Sequence, residues 1–416
     1  MKLQDKLFLE ALKASLENKK LDWDFDISKE LWQEILAQAD SHKVLPLIFE
    51  AVHFCPAIKS VGKEFYNEVK QRCVSIMVLQ IRKTSEFLML YRHLLDQQLK
   101  PIVVKGILCR LLYPNPDLRV SADEDLLVPV ADFEKAVDVL QKYGMRMTKE
   151  VDDLEAADEI GFLSQNGVSY IELHKHMFAD SSEAYGELNH YFEDIFETSQ
   201  PVKVDKMTVY GPEPGTHLFY LICHAFKHFL HSGFGIRQVC DIVLFANAYG
   251  AQIDWQQLFI NCKEIRAEKF AAALFRIGEK YLNFNIEKSG YSKEWLEVEV
   301  DETDLLEDLL GSGIYGGASM SRRHSSNMTL EAVAAQKKGE KSAKPLVKTL
   351  FPSVKSLEGK YPYLKKHPYL LPVAWSERIL EYGKELGLSE DSDAMETVRI
   401  GNQRIELFKK YGILEK

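Results

Sequence analysis

Asp123 and Asp125 stand two residues apart in SADEDLLV, and side chains at i and i+2 of a strand share a face. Two carboxylates on one face repel unless a cation lies between them, and Mg2+ is commonly held by one or two carboxylates together with substrate phosphates. The pair reads either as a divalent-metal site for phosphate chemistry or as a solvated acidic strand end. Glu172 sits between apolar neighbours in YIELH, where an unpaired carboxylate would be expensive to bury, so it needs a partner. Farther on, His224 and His228 lie one helical turn apart, with His231 three residues beyond. Histidines at i and i+4 can bind zinc, but Ala225 stands where an H-E-x-x-H protease has glutamate, and no third ligand is evident.

These residues need strands and helices to bring them together. Ile102 to Val104 are a short β-branched run, and Gly106 follows where a strand hands over to a helix. Ile107, Leu108, Leu111 and Leu112 keep helical spacing until Tyr113-Pro114-Asn115-Pro116 stops it. Leu126 to Val128 complete the D-x-D strand, a helix is expected over Asp132–Tyr143, and Gly144 ends it. Glu159 to Ser164 and Val168 to Leu173 read as strands joined by Gln165-Asn166-Gly167, a hairpin signal.

The flanks are helical. Residues 1–98 show apolar faces such as Leu3, Leu7, Phe8, Ala11 and Leu12, followed by a long helix from about Gly62 to Gln98. Thr216 to His231 places its histidines away from the face made by Leu218, Leu221, Ile222, Ala225 and Phe229. Arg237 and Asp241 are spaced to pair along the next helix, and Asp254 with Gln257 fits a capping box. Residues of about 311–368 are rich in glycine, serine and lysine and read as a basic loop, either a lid or a solvated connection. A last pair of helices is expected from about Pro372 to Tyr411. The organisation expected is 1–98 helical, 99–210 an α/β core, and 211–416 a helical region carrying the loop.

The run K-G, Y-P-x-P-x-x-R, D-x-D-L-L-V resembles the uncharacterised nucleotidyltransferases of the polymerase-β superfamily. Its positions here are Lys105 and Gly106, Tyr113, Pro114, Pro116 and Arg119, and Asp123 through Val128. The resemblance implies an α+β fold, a polymerase-β-like mixed sheet with helices. It implies Asp123, Asp125 and Glu172 as catalytic carboxylates binding Mg2+ or Mn2+. Lys105, Gly106, Arg119, His174, His224 and His228 are then expected at the nucleotide, and the reaction is transfer of a nucleoside monophosphate from an NTP such as ATP to an unidentified acceptor, which could be a small molecule, a protein or an RNA end. Two positions depart from the pattern: Ile107 replaces the frequent serine, and Glu124 replaces an apolar residue between the aspartates. Those departures motivate an alternative, an inactive nucleotide-binding or regulatory protein on the same fold.

Composition bounds the reading. The chain has 416 residues, 46% hydrophobic and 27% charged, which suits a globular protein of two or three domains. Its formal charge of -10 disfavours general nucleic-acid binding, which needs cations against phosphates. No segment reads as a signal peptide or membrane span, so a cytoplasmic protein is the expectation. Cys55, Cys73, Cys109, Cys223, Cys240 and Cys262 form no C-x-x-C pair, against a disulfide framework or zinc ribbon.

Overall fold

A computed structural model of the chain describes residues 1–151, 153–312, 320–337, 354–357, 361–377 and 394–415. The start is helical: α1 (Leu3–Leu16), α2 (Lys29–Ser41), α3 (Leu45–Val52), α4 (Pro56–Ser60) and α5 (Lys63–Asp96). The core then alternates β1 (Ile102–Val104), α6 (Gly106–Arg110), β2 (Glu124–Leu127), α7 (Phe133–Tyr143), β3 (Arg146–Met147), β4 (Glu159–Leu163), β5 (Tyr170–His174), β6 (Gln200–Val204) and β7 (Met207–Gly211). Next come α8 (Pro214–His231), α9 (Ile236–Tyr249), α10 (Trp255–Glu264), α11 (Glu268–Tyr281), α12 (Ile286–Ser289), α13 (Lys293–Leu296), α14 (Thr303–Ser312) and α15 (Met320–Lys337). A helix over Ala394–Lys410 follows.

The strands form a seven-stranded mixed sheet in the order β3-β4-β5-β2-β1-β7-β6. The fold is α+β, as expected. β1 runs antiparallel to β2 with Val104 opposite Asp125, and β2 runs parallel to β5 with Asp125 opposite Glu172. The expected hairpin is β4–β5, its turn carried by Gly167 at φ +70°. Gly144 ends α7 in the left-handed conformation that glycine adopts without a Cβ penalty.

The long helix α5 holds the sheet from one side. Tyr91 buries its ring, donates its hydroxyl to Pro101 O at 2.7 Å and accepts the Tyr210 N–H at 3.0 Å, joining the parallel neighbours β1 and β7. Farther back along the helix, Gln80 accepts the Ser121 N–H (2.8 Å) and Lys83 donates to Ser121 O and Ala122 O (3.1 and 3.3 Å). The loop that delivers Asp123 is thereby fastened to α5.

α8 is buried along most of its length, and Phe229 near its end packs against Phe270 (ring centroids 4.9 Å) and Phe408 (4.9 Å). Its last turns leave carbonyls without intrahelical donors, and the buried Arg404 supplies them by donating to Phe229 O and His231 O. The C-terminal helix thus closes the end of the helix that carries the histidines.

Two features differ from the sequence reading. The basic loop expected over 311–368 contains α15, whose Met328, Thr329, Ala332 and Val333 are buried. Arg322 pairs there with Asp308 (2.8 Å to each oxygen), and Lys337 bonds Ala184 O at 2.7 Å. The glycine- and lysine-rich stretches at 313–319 and 338–353 lie outside the described residues, as does much of the first helix expected near Pro372. The second difference is the β6–β7 hairpin, not anticipated although Val202, Val204, Met207 and Val209 alternate on either side of Asp205-Lys206. Pro201 is tolerated because β6 is the sheet edge. No helix among the described residues is long and apolar enough to cross a membrane.

His42 joins the N-terminal helices to the rest: Nδ1 accepts the Ile236 N–H (3.2 Å), and Nε2 donates to Leu310 O (3.4 Å). Its ring is buried and must be neutral to accept, and burial pulls its pKa down to about 4. The unfolded chain therefore binds a proton that the folded chain refuses between pH 6.5 and about 4. This contribution, about 3 kcal/mol, is complete above pH 6.5 and lost as pH falls toward 4. Thermal midpoints of the wild type and His42→Gln should converge as the pH is lowered from 7 to 5. A gap that stays constant would show that His42 is not the coupled group.

Candidate active site

At the C-terminal end of β1, Lys105 adopts φ +50° and ψ -129°, and Gly106 follows at φ +41°. Such a conformation is costly for a residue with a Cβ and persists only where its surroundings enforce it. Here His217 on α8 accepts the Lys105 N–H on Nε2 at 3.3 Å, and burial keeps that imidazole neutral, its pKa down to about 3. The distorted turn aims the Lys105 side chain at the D-x-D strand.

Asp123, immediately before β2, and Asp125 within it do share a face. Lys105 Nζ lies 3.5 Å from Asp123 Oδ2 and 2.9 Å from Asp125 Oδ2, while His174 Nε2 lies 3.2 Å from Asp125 Oδ1 and 3.7 Å from Glu172 Oε2. The partner required for Glu172 is thus His174, two residues on and on the same face. Asp125 is only 2% exposed, against 26% for Asp123 and 28% for Glu172.

Electrostatics follow from that packing. Burial opposes the charge on Asp125, but Lys105 and His174 outweigh it and hold the carboxyl well below the usual range. Burial likewise disfavours charge on His174, yet its bonds to Asp125 and Glu172 carry it up to about 9, so it is a cation at neutral pH. Glu172 is raised, first by burial and then by Asp125 and Asp123, against the pull of His174. Among the described residues, the group of three metal-capable side chains with ligand atoms within 4.8 Å of one another is Asp125, Glu172 and His174.

The histidine helix joins the site through Lys105. Its Nζ lies 3.4 Å from His224 Nε2, which is 3.2 Å from His228 Nε2. An ammonium can only donate, so His224 Nε2 accepts from Lys105, while His224 Nδ1 lies 3.3 Å from the Gln238 side-chain nitrogen. Burial keeps both imidazoles neutral, with His228 down to about 3. His224 and His228 gather no third ligand-bearing side chain among the described residues.

The remaining motif residues build the wall. Arg119, expected at the nucleotide, is buried with Nε 3.1 Å from Asp241 Oδ1 and Nη2 2.6 Å from Oδ2, and Tyr113 donates to the same carboxylate at 2.8 Å. Asp241 thus pairs with Arg119 rather than along its own helix with Arg237, which donates to Val120 O. A small cavity of about 30 Å3 lies among Lys105, Asp123, His224, Arg237 and Gln238. A larger groove of about 850 Å3, lined by parts of α5, α6 and the β6–β7 turn, includes none of the clustered carboxylates.

Both departures from the motif meet at one point. Glu124 turns to the opposite face of β2, where Oε2 accepts the Ile107 N–H at 2.7 Å and Oε1 meets Arg110 Nη2 at 2.8 Å. Arg110 also donates to Thr84 of α5. A Cβ on residue 106 would lie 2.0 Å from Glu124 Oε2, so the carboxylate occupies the space glycine leaves. Sequence reasoning missed this role for Glu124 and Arg110, and with it His217, Lys83 and Tyr113. Alternation along β2 already pointed Glu124 away from the aspartates, but its partners come from other elements.

The α+β fold thus sets a D-x-D strand beside a third carboxylate on the neighbouring parallel strand. Residues 28–283 match the family described as uncharacterised nucleotidyltransferase, and the chain belongs to that family. The crystal structure of an antigenic nucleotidyltransferase-like protein from Paracoccidioides brasiliensis is similar at 13% identity and a TM-score of 0.27, covering 51% of this chain and 94% of that one. No curated protein matches.

Breaking the buried Glu124–Arg110 pair leaves an uncompensated charge, whereas replacing both partners with apolar residues does not. Glu124→Leu and Arg110→Met should each destabilise the protein by about 3–5 kcal/mol, and the double variant should recover most of that loss. Urea unfolding checks this. Additive losses would mean that the two side chains act independently.

Proposed function

We propose that the protein transfers a nucleoside monophosphate from an NTP, ATP being the first to test, to an acceptor still to be found. The observation that carries this reading is the parallel register of β2 and β5, which sets Asp125 beside Glu172 with Asp123 at the rim. Membership of a nucleotidyltransferase family supports it.

The donor set fits Mg2+ or Mn2+: three carboxylates offer hard oxygen ligands, and Asp125 and Glu172 present theirs within 4.8 Å of each other. Asp123, Asp125 and Glu172 would hold the ions. When bound, such ions supply positive charge against the phosphates and the departing pyrophosphate. The chain's own residues do the positioning. Lys105, anchored by its backbone to His217, offers an ammonium beside the carboxylates for a phosphate oxygen. Glu172 is the candidate acceptor of the nucleophile's proton, because both oxygens of Asp125 already face cations. His174 orients Asp125 and Glu172, while His224 and His228 border the nucleotide side of the cleft. Gly106 leaves room for the turn, and Arg119 acts by fixing the wall through Asp241.

A second reading, a nucleotide-binding protein without turnover, is favoured by one observation: the Ile107 N–H at the turn is already committed to Glu124. Incubation of the protein with each α-labelled NTP, Mg2+ or Mn2+ and cell extract separates the two. A labelled acceptor supports transfer, and nucleotide binding with no labelled product under any condition would move the assignment to the second reading.

If the three carboxylates act as one unit, Asp123→Asn, Asp125→Asn and Glu172→Gln each remove nearly all transfer, and double variants cost little more than single ones. His228→Ala should lower the rate by roughly tenfold or less, the worth of a neutral hydrogen bond, and His224→Ala, which removes an acceptor of the Lys105 ammonium, by roughly tenfold to a hundredfold. Inactive histidine variants together with a fully active Glu172→Gln would place the chemistry on α8 instead.

A further inference from the structure

We infer that Lys105 is a tethered stand-in for the metal: its ammonium holds the carboxylates together while no divalent cation is bound and leaves them when one arrives. The inference rests on reading Asp123, Asp125 and Glu172 as the metal site. It adds that metal binding is an exchange of cations.

The geometry leads there in three steps. Asp125 is almost fully buried, and a buried carboxylate without a counter-charge is strongly destabilising. Its Oδ1 faces His174, which leaves Oδ2 to Lys105 at 2.9 Å, and the same ammonium reaches Asp123 Oδ2 at 3.5 Å. Lys105 therefore already sits against the oxygens that would ligate the metal. Mg2+ binds carboxylate oxygens at about 2.0–2.1 Å, and an ammonium kept on the same oxygen would repel it at close range with little water to screen the two.

The displaced ammonium has a destination. On its other side lies His224 Nε2, 3.4 Å away, which can only accept from the ammonium. The cavity of about 30 Å3 bounded by Lys105, Asp123, His224, Arg237 and Gln238 adjoins it. The Lys105 backbone stays where it is, pinned by His217 at 3.3 Å in its positive-φ turn. The exchange is thus a swing of one flexible side chain, with no loop displacement. It also couples two events, since the ammonium freed by the metal is left facing the cleft with an unmatched charge, ready for phosphate.

Two measurements without catalysis test this. Mn2+ binding, read from the paramagnetic resonance of the free ion in the absence of nucleotide, should tighten by about tenfold or more in Lys105→Met, and stay within about threefold of wild type in Lys105→Arg, which keeps the charge. In wild-type protein, reductive methylation read by peptide mass spectrometry should modify Lys105 several-fold faster with saturating Mg2+ than without, while the surface residue Lys142 reacts equally in both. The methylation result decides the matter if the methionine variant fails to fold. Mn2+ bound equally by wild type and Lys105→Met, or a Lys105 methylation rate indifferent to bound metal, would overturn the exchange and leave the metal site standing. No Mn2+ binding to any of these proteins, with or without NTP, would instead remove the metal site itself.

Discussion

Three carboxylates meeting at one strand end repel each other, and the site depends on two cations that the fold places among them. Lys105 arrives because β1 and β2 are antiparallel neighbours with Val104 opposite Asp125, so the next residue after β1 stands beside the D-x-D segment. His174 arrives because β5 lies parallel on the other side of β2, in a register that sets Leu127 opposite His174 and Asp125 opposite Glu172. A slip of one residue in either pairing would turn those side chains to the other face. The sheet order is therefore also the charge balance of the site.

Helices on both sides keep that register usable. α5 fastens the strand-preceding loop through Gln80 and Lys83 and joins β1 to β7 through Tyr91. α8 pins the strained turn through His217 and offers His224 to the Lys105 ammonium. Neither helix contributes one of the clustered carboxylates. Their part is to hold backbone and side chains that would otherwise relax, which is why α8 itself is so deeply buried and has its terminal carbonyls satisfied by Arg404 from the far end of the chain.

What could be read from the residues alone was whatever depends on neighbours in sequence. The alternation that pairs Asp123 with Asp125, the Asn-Gly hairpin signal, the cap at Asp254 accepting the Gln257 N–H at 2.9 Å, and the long helix over 63–96 are all local. Contacts made by long-range partners were hidden. Nothing in the spacing of Arg119 says that its guanidinium faces Asp241, 122 residues away. The stretch over 311–368 misled for a related reason: its glycine- and lysine-rich parts dominate the composition, whereas α15 between them forms by burying a short apolar face against α8 and the last helix. At the edge strand β6 the period-two pattern was present, but Pro201 and the charged Lys203, Asp205 and Lys206 diluted it.

The two faces of β2 show how one short acidic strand can serve both structure and chemistry. Glu124 on the inner face is matched by Arg110, whose planar fork is itself held by Thr84 and whose charge cannot be discarded by deprotonation. That pair is fixed, and it closes the turn at Gly106 from below. On the outer face Asp125 is matched by a lysine, a point charge on a flexible stem with a second partner within reach. A rigid counter-ion suits the carboxylate that supports the backbone, and a mobile one suits carboxylates that, on the proposed function, receive a metal. The acidic residue between the two aspartates is thus compatible with a working site, because it spends its charge on the far side of the strand.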